Sequence, residues 1–297
     1  MAILVNRDIR VLIQGITGKS GREVTSELLD YQTRVVAGVT PGKGGQVVDT
    51  VPVFDKISDA IREVGPIDVS MVYVPPLLAF GAAMEAIDAG IPLIHIFTER
   101  MPVFDVSCVL SRAQTKKIKV LGPSSVGAIS PGEVKIGSIG GSCCDLVFSK
   151  GPIGIISRSG GMCSELAMLI TDSGFGQSTV VGIGGDLLIG TTFSDLLLEF
   201  EQDIQTKAVV IFGEVGGSCE IGAAKLLKEG KYTKPLVVFM AGKFAESLPK
   251  DTALGHAGAI VGLESTMDEK IRILKESGAI VCENFEDIPK VIRKVIG

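Results

Sequence analysis

The chain of 297 residues holds 2 histidines, and they stand in different surroundings. His95 lies in the apolar run Ile94-His95-Ile96-Phe97, which reads as a strand, whereas His256 lies in Leu254-Gly255-His256-Ala257-Gly258-Ala259-Ile260, after a polar loop and before an apolar segment. Imidazole is suited to proton or group transfer near neutral pH, and flanking glycines let a backbone or a ligand come close to it. Alone, such a histidine also fits a plain surface turn. Two other stretches supply what chemistry at His256 would need. Ser159-Gly160-Gly161 opens a helix, and the N–H groups and dipole of a helix start suit a phosphate or carboxylate. Glu214 ends a strand among glycines, in Gly213-Glu214-Val215-Gly216-Gly217, as a carboxylate with little to bury it; it also fits a loop carboxylate in water. A histidine, a carboxylate to fix its tautomer and an anion-binding helix end are the parts of a phosphorylated imidazole intermediate.

These residues need strand ends to carry them. Ile9–Gln14 is an apolar run ending in Gly15-Ile16-Thr17-Gly18-Lys19-Ser20-Gly21, followed by a helix-like segment from Arg22 to Tyr31 and a strand from Arg34 to Val39. Strand, glycine turn, helix and strand make a βαβ unit of the dinucleotide-binding type, here with a G-x-x-G-x-x-G spacing. An NAD site wants an acidic residue after the second strand, and this chain has Thr40-Pro41-Gly42-Lys43-Gly44-Gly45 instead. Lys43 on that loop either favours a ligand with a phosphate near its ribose, as NADP and coenzyme A have, or is a solvated loop charge. Strand-helix units continue with Asp68–Val74, Leu77–Ala89, Pro92–Phe97, a helix after Pro102, and Lys119–Leu121. Glu99, just past a strand end, either orients a ligand group or caps the helix behind it. Residues 126–150 read as a Gly- and Ser-rich connector. A second α/β pattern follows: strands at Ile153–Ile156, Thr179–Ile183, Lys207–Phe212 and Leu236–Met240, with helices between them and a C-terminal helix Ile288–Ile296. The pattern predicts two doubly wound α/β domains, residues 1–125 and 126–297.

Composition agrees with that class. Hydrophobic residues at 46% and charged residues at 21% allow substantial cores and argue against disorder. A net charge of −5 leaves no broad basic surface, so no nucleic-acid partner is expected. The 6 cysteines form no C-x-x-C pair and no metal-ligand spacing, so reduced thiols in a cytoplasmic protein and no bound metal are expected. Polar Asn6-Arg7-Asp8 comes too early for a signal-peptide core, and no apolar run approaches a membrane span.

Eight ordered motifs then carry a resemblance over nearly the whole chain: GITGKSG (15–21), VTPGKGG (39–45), FTE (97–99), PGEVKIG (131–137), SRSGG (157–161), GIGGD (182–186), GEVGGS (213–218) and GHAGAI (255–260). The sequence resembles the small, α-type subunit of the succinyl-CoA synthetase superfamily, which includes citryl-CoA synthetases and ATP-citrate lyases. The resemblance implies a Rossmann-like CoA-binding domain followed by a flavodoxin-like ligase domain. It implies that Thr17, Gly18, Lys19, Ser20, Lys43, Phe97, Thr98 and Glu99 contact coenzyme A. It further implies that His256 is phosphorylated by ATP with Glu214 as its orienting carboxylate, and that Ser159, Gly160, Gly161 and Ser164 face phosphate or substrate. ATP and Mg²⁺ would sit on a separate ATP-grasp large subunit. The reaction would pass through phosphohistidine, an acyl phosphate and attack by the CoA thiol.

The acid is read from departures. Where succinyl-CoA synthetases have SRSGTLTYE this chain has SRSGGMCSE (157–165), so Ser164 stands at a substrate-site tyrosine; GPSSVG (122–127) replaces GPNCPG, and Val261-Gly262-Leu263-Glu264-Ser265 replaces a glycine-rich stretch. Losing a threonine side chain and a tyrosine ring makes room for a tricarboxylate, and Gly160-Gly161 resembles the citrate enzymes. The absence of an attached lyase domain separates the chain from full-length ATP-citrate lyase. Citryl-CoA formation is therefore the expected activity, with succinyl-CoA synthetase as the alternative. An NADP-dependent oxidoreductase and a non-catalytic CoA-binding protein are more distant; the first leaves His256, Glu214 and Ser159 without a role.

Overall fold

The computed structural model describes residues 3–242, 244, 258 and 266–297. His256 lies outside the described residues, as do its neighbours Gly255 and Ala257 and the 261–265 departure, so nothing is said of their structure. The first unit runs β1 (Val11–Gln14), α1 (Lys19–Asp30), β2 (Val35–Val39), β3 (Val47–Val48), β4 (Val51–Phe54), α2 (Ile57–Val64), β5 (Val69–Val72), α3 (Pro76–Asp88), β6 (Leu93–Ile96), α4 (Val103–Lys116) and β7 (Lys119–Leu121). The second runs β8 (Gly127–Ser130), β9 (Val134–Gly137), α5 (Cys144–Val147), β10 (Lys150–Ser157), α6 (Gly160–Asp172), β11 (Gln177–Gly182), α7 (Phe193–Gln202), β12 (Ala208–Glu214), α8 (Cys219–Lys228), β13 (Leu236–Ala241), α9 (Met267–Glu276), β14 (Ile280–Cys282) and α10 (Ile288–Ile296).

β1, β5 and β6 are buried at every position, as unbroken apolar runs are when helices cover both faces of a parallel sheet. The first sheet has the order β3-β4-β2-β1-β5-β6-β7, parallel except for the β3–β4 hairpin. α3 lays Ala79, Ala83 and Ala86 against it, a stripe of small residues on one helical face, and starts with Pro76 where the missing N–H costs nothing. The second sheet has the order β14-β13-β12-β10-β11-β8-β9, parallel from β10 to β14 and closed by antiparallel β8 and β9. α6 buries Cys163, Leu166, Ala167 and Ile170, and α7 opens with a capping box between Thr192 and Asp195. The chain is thus two α/β units in succession, each built on a seven-stranded sheet. No helix among the described residues is long and apolar enough to cross a membrane.

Two sequence expectations are corrected. The first helix begins at Lys19 and not at Arg22, so the glycine turn itself is the helix start. Residues 47–64, outside the elements read from sequence, form the β3–β4 hairpin and α2. Residues 126–150 are no connector: β8 and β9 complete the second sheet, and their glycines permit a close crossing. A Cβ on Gly127 would lie 2.0 Å from the Ile136 carbonyl oxygen, and one on Gly137 would lie 2.2 Å from that of Val126.

The two units share their packing. One apolar cluster runs from Ile13, Ile16 and Leu28 to Ala128, Ile136 and Val181. Across it, the Thr33 hydroxyl donates to the Lys135 carbonyl at 2.7 Å, and the fully buried Lys135 ammonium reaches Glu27 at 3.2 Å and donates to the Gly141 carbonyl at 2.6 Å. His95 of β6 donates from Nε2 to the Ser125 carbonyl at 2.9 Å, and burial holds its pKa down from 6.5 to about 4. Its folded pKa lies below the unfolded one, so its stabilising contribution is complete above about 6.5 and is lost as pH falls toward 4. His95→Gln should therefore lose less stability than the parent between about pH 7 and about pH 4.5 in urea titrations; equal losses would show that His95 does not set the acid-side slope.

Candidate functional site

Two clefts lie where the strands of the first sheet end. The turn from β1 to α1 packs backbone on backbone. Gly15 has φ +81° and a Cβ on it would meet the Tyr73 carbonyl oxygen at 2.5 Å, while one on Gly21 would meet the Gly15 carbonyl oxygen at 2.2 Å. α1 has no side-chain cap and no acidic residue in its first turn, so its first N–H groups and dipole face the cleft as an anion site. A cleft of about 590 Å³ is lined by Thr17, Gly18, Thr40, Tyr73 and neighbours; an adjoining one of about 340 Å³ is lined by Gly18, Lys19, Ser20, Phe97 and Thr98 among others. Tyr73 stacks on Phe97 with ring centroids 4.6 Å apart, making a flat apolar wall. Such a pair of clefts at the point where the strand order reverses, β2-β1-β5, is where open α/β sheets bind nucleotides.

Six of the eight expected CoA contacts thus line these clefts, and two do not. Lys43 is exposed; its N–H donates to Asp55 at 3.0 Å and that of Gly44 at 2.9 Å. These backbone donors, Gly44 first, hold the Asp55 carboxyl below its usual pKa and fix the loop that carries Lys43. Glu99 is exposed and does not cap α4, whose N-cap is Pro102 with no side-chain bond. Thr98 is mainly a strut, because its hydroxyl donates to the Val74 carbonyl at 2.7 Å.

In the second unit three strand ends meet on one guanidinium. Arg158, at 3% exposure, follows β10; it donates from Nη2 to the Asp186 carbonyl at 2.9 Å and from Nε to the Gly184 carbonyl at 3.5 Å, both past the end of β11. Its Nε also lies 3.3 Å from the Glu214 carboxylate at the end of β12. Glu214 is therefore a buried, ion-paired carboxylate at 8% exposure, and the expectation that little would bury it is corrected. The flanking glycines leave no spare room: a Cβ on Gly213 would lie 2.5 Å from Met240 Sδ, and one on Gly217 would lie 3.0 Å from Arg158 Nη1.

Gly258, which stands two residues after His256, belongs to this cluster. It donates its N–H to the Gly185 carbonyl at 2.9 Å, and a Cβ on it would lie 2.3 Å from Arg158 Nη2 and 2.7 Å from the Asp186 carbonyl oxygen. The α6 start stands beside them. Ser159 is its N-cap and accepts from the Met162 N–H, and the Ser159 N–H donates to the Ser157 hydroxyl at 3.0 Å. Gly160 and Gly161 occupy the first turn, where N–H groups have no intrahelical acceptor, and Ser164 lies half-buried one turn further along the same face. Cys163 beside it is no nucleophile, since burial pushes its thiol up to about 12. The first-sheet clefts and the Arg158 cluster are joined by polar contacts. The Ser124 N–H donates to the Thr98 carbonyl at 3.1 Å, and the Ser124 hydroxyl donates to the Asp186 carboxylate at 2.7 Å.

Arg158 and Asp186 were within the SRSGG and GIGGD motifs, yet neither was assigned a role from sequence. For Arg158 the signal was a charge just past the apolar run Ile153–Ile156. A second missed pair is Glu220 and Lys270, both 1% exposed. Lys270 shares a helical face with buried Met267 and Leu274, so its burial was readable from spacing.

Comparison with known proteins adds to this geometry. A family model described as "CoA binding domain" matches residues 6–100, and one described as "CoA-ligase" matches residues 156–283. The chain is 42% identical over 297 residues to the succinate–CoA ligase [ADP-forming] subunit alpha 1 of Archaeoglobus fulgidus, covering 100% of this chain and 99% of the relative. It is 43% identical over 279 residues to the corresponding alpha subunit of Staphylococcus aureus, covering 94% and 89%. The structure of ATP citrate lyase from Methanothrix soehngenii in complex with citrate and coenzyme A superposes with a TM-score of 0.90 at 26% identity, covering 99% of this chain and 50% of that one. The chain thus spans about half the length of that structural relative.

The paired glycines of α6 differ physically. A Cβ on Gly160 would lie 2.2 Å from Val126 Cγ1, whereas one on Gly161 meets nothing within 4 Å. Gly160→Ala should lower stability by about 1–3 kcal/mol through overpacking, while Gly161→Ala should stay within about 0.5 kcal/mol. Chemical denaturation of both variants checks this, and equal effects would remove the distinction.

Proposed function

We propose, for a chain that belongs to the CoA-ligase family of the succinyl-CoA synthetase and ATP-citrate lyase superfamily and is a CoA-utilising ligase, that it is the phosphate-carrying small subunit of an ATP-dependent acid–CoA ligase. One observation carries the reading. Gly258 lies against Arg158 and is bonded to Gly185, so the chain two residues after His256 runs through the cluster that holds Glu214. Glu214 accepts a hydrogen bond from one ring nitrogen of His256 and fixes the tautomer in which the other attacks the terminal phosphorus of ATP. ATP and Mg²⁺ are held by an ATP-grasp large subunit. The phosphoryl group then passes to a carboxylate oxygen of the acid, restoring the imidazole and forming an acyl phosphate. The CoA thiolate attacks the acyl carbon and expels inorganic phosphate, leaving acyl-CoA. N–H groups at the α6 start stabilise the phosphoryl oxygens in transit. CoA lies with its phosphates on the α1 start, between Thr17–Ser20 and the Tyr73–Phe97 wall.

Succinate replaces citrate as the first acid. The reading from departures favoured citrate, but the full-length likeness to succinate–CoA ligase alpha subunits supports succinate more strongly than the more distant likeness to ATP citrate lyase supports citrate. Citrate stays as the second reading on one specific observation: the α6 face at Gly161 and Ser164 is open where the succinate pattern carries a threonine and a tyrosine.

Reconstitution with the large subunit tests this. Thioester formation should be faster with succinate than with citrate, and the opposite order would overturn the choice of acid. Incubation with ATP and Mg²⁺ should place an acid-labile, base-stable phosphate on the chain, and His256→Asn should abolish it. Labelling of that variant would show the phosphate to lie elsewhere. CoA at about 100 times its Kd should stabilise the chain by about 2.7 kcal/mol; stabilisation by NADPH and not by CoA would favour the oxidoreductase reading.

A further inference from the structure

The turn that carries Glu214 is held from beneath by charges the reaction does not use. Past β12 the chain bends through Gly216 (φ +80°) and Gly217 (φ +64°). The Glu214 N–H donates to Glu220 Oε1, in the first turn of α8, at 3.3 Å. Lys270 of α9 donates its ammonium protons to the Gly216 carbonyl at 2.7 Å, the Glu214 carbonyl at 3.2 Å and Glu220 Oε2 at 2.9 Å. Both side chains of this ion pair are fully buried. The three acceptors use the three protons of the ammonium, so the turn has one arrangement that satisfies it. Gly213 completes the fit, because a Cβ there would lie 2.9 Å from Glu220 Oε1 and 2.5 Å from Met240 Sδ.

A pair buried this way adds little net stability, since desolvation offsets most of the attraction, but it penalises every geometry that strands one of the charges. Its targets are the backbone N–H and C=O of Glu214 itself. Lys270 also lies on the first described helix after the segment that carries His256. We propose that Lys270 and Glu220 are positioning residues that clamp the Gly213–Gly217 turn and so aim the Glu214 carboxylate at the histidine. This rests on the roles given above to Glu214 and His256.

The double variant Lys270→Met/Glu220→Gln removes both charges together and keeps an acceptor for the Glu214 N–H. In the reconstituted enzyme it should slow phosphorylation of the chain by up to about 100-fold, the scale of a 1 Å misplacement, with affinity for CoA unchanged. In a Glu214→Gln background the same double change should slow phosphorylation no further, because the clamp acts only through Glu214. A full additional loss in that background, or no loss in the parent, would overturn the clamp. A Glu214→Gln enzyme that phosphorylates at the parental rate would instead overturn the role of Glu214 and leave the clamp with nothing to position. Should the double variant fail to fold, Glu220→Gln alone carries the same comparison.

Discussion

The ligase unit depends on what surrounds one buried guanidinium. Arg158 leaves the central strand β10, and its donors need acceptors that water does not provide. It takes carbonyls from the chain past β11 and a carboxylate from β12. Removing one partner of such a pair strands a charge and costs about 3–5 kcal/mol. Three strand ends are therefore held in one mutual arrangement. Gly184, whose carbonyl is one of these acceptors, has φ +102° and packs where a Cβ would lie 2.1 Å from the Pro123 carbonyl oxygen. Gly258 fits by having no side chain against the guanidinium. Gly258 of the GHAGAI motif is thus partly a consequence of Arg158.

The same device recurs at other junctions. Three buried cations among the described residues each pair with one carboxylate and with backbone carbonyls: Arg158 with Glu214, Lys270 with Glu220, and Lys135 with Glu27. Arg158 joins strand ends, Lys270 joins α8, α9 and the turn after β12, and Lys135 joins the two α/β units through α1. The last matters for coupling, since α1 is the helix whose start faces the CoA-type cleft. Ser124 adds a second tie between the units, holding Thr98 beside the first-sheet cleft and Asp186 within the Arg158 cluster.

Much of this frame was legible in the residues. Apolar runs bounded by glycine and proline located β5, β6 and β12, and the 3.6-residue period located α7 and α10. The hairpin at β3 and β4 was hidden because it is short and carries Pro52, which has no N–H to give a strand ladder. β8 and β9 were hidden because their glycines read as loop when they in fact allow two backbones to touch. At the site, helix starts and the carboxylate of Glu214 were legible as chemistry. Their counter-charges were not, because which carboxylate meets Arg158 or Lys270 depends on strand order, and strand order is not a local property of the sequence.

That limit bears directly on the acid. From sequence, the threonine side chain and tyrosine ring lost at Gly161 and Ser164 looked like space for a larger substrate. In the structure a Cβ on Gly161 would meet nothing within 4 Å and Ser164 is half-buried, whereas Gly160 is packed against Val126. An opening tolerates a larger acid without repelling a smaller one, since a pocket that merely has room discriminates by about 10- to 200-fold at most. Strong rejection of succinate would require polar groups that a short dicarboxylate leaves unpaired. Two lost side chains supply room, not such groups. The openness of α6 is therefore a weaker argument for citrate than it looks on the page of the sequence, and a likeness to succinate–CoA ligase alpha subunits that extends over the whole chain outweighs it.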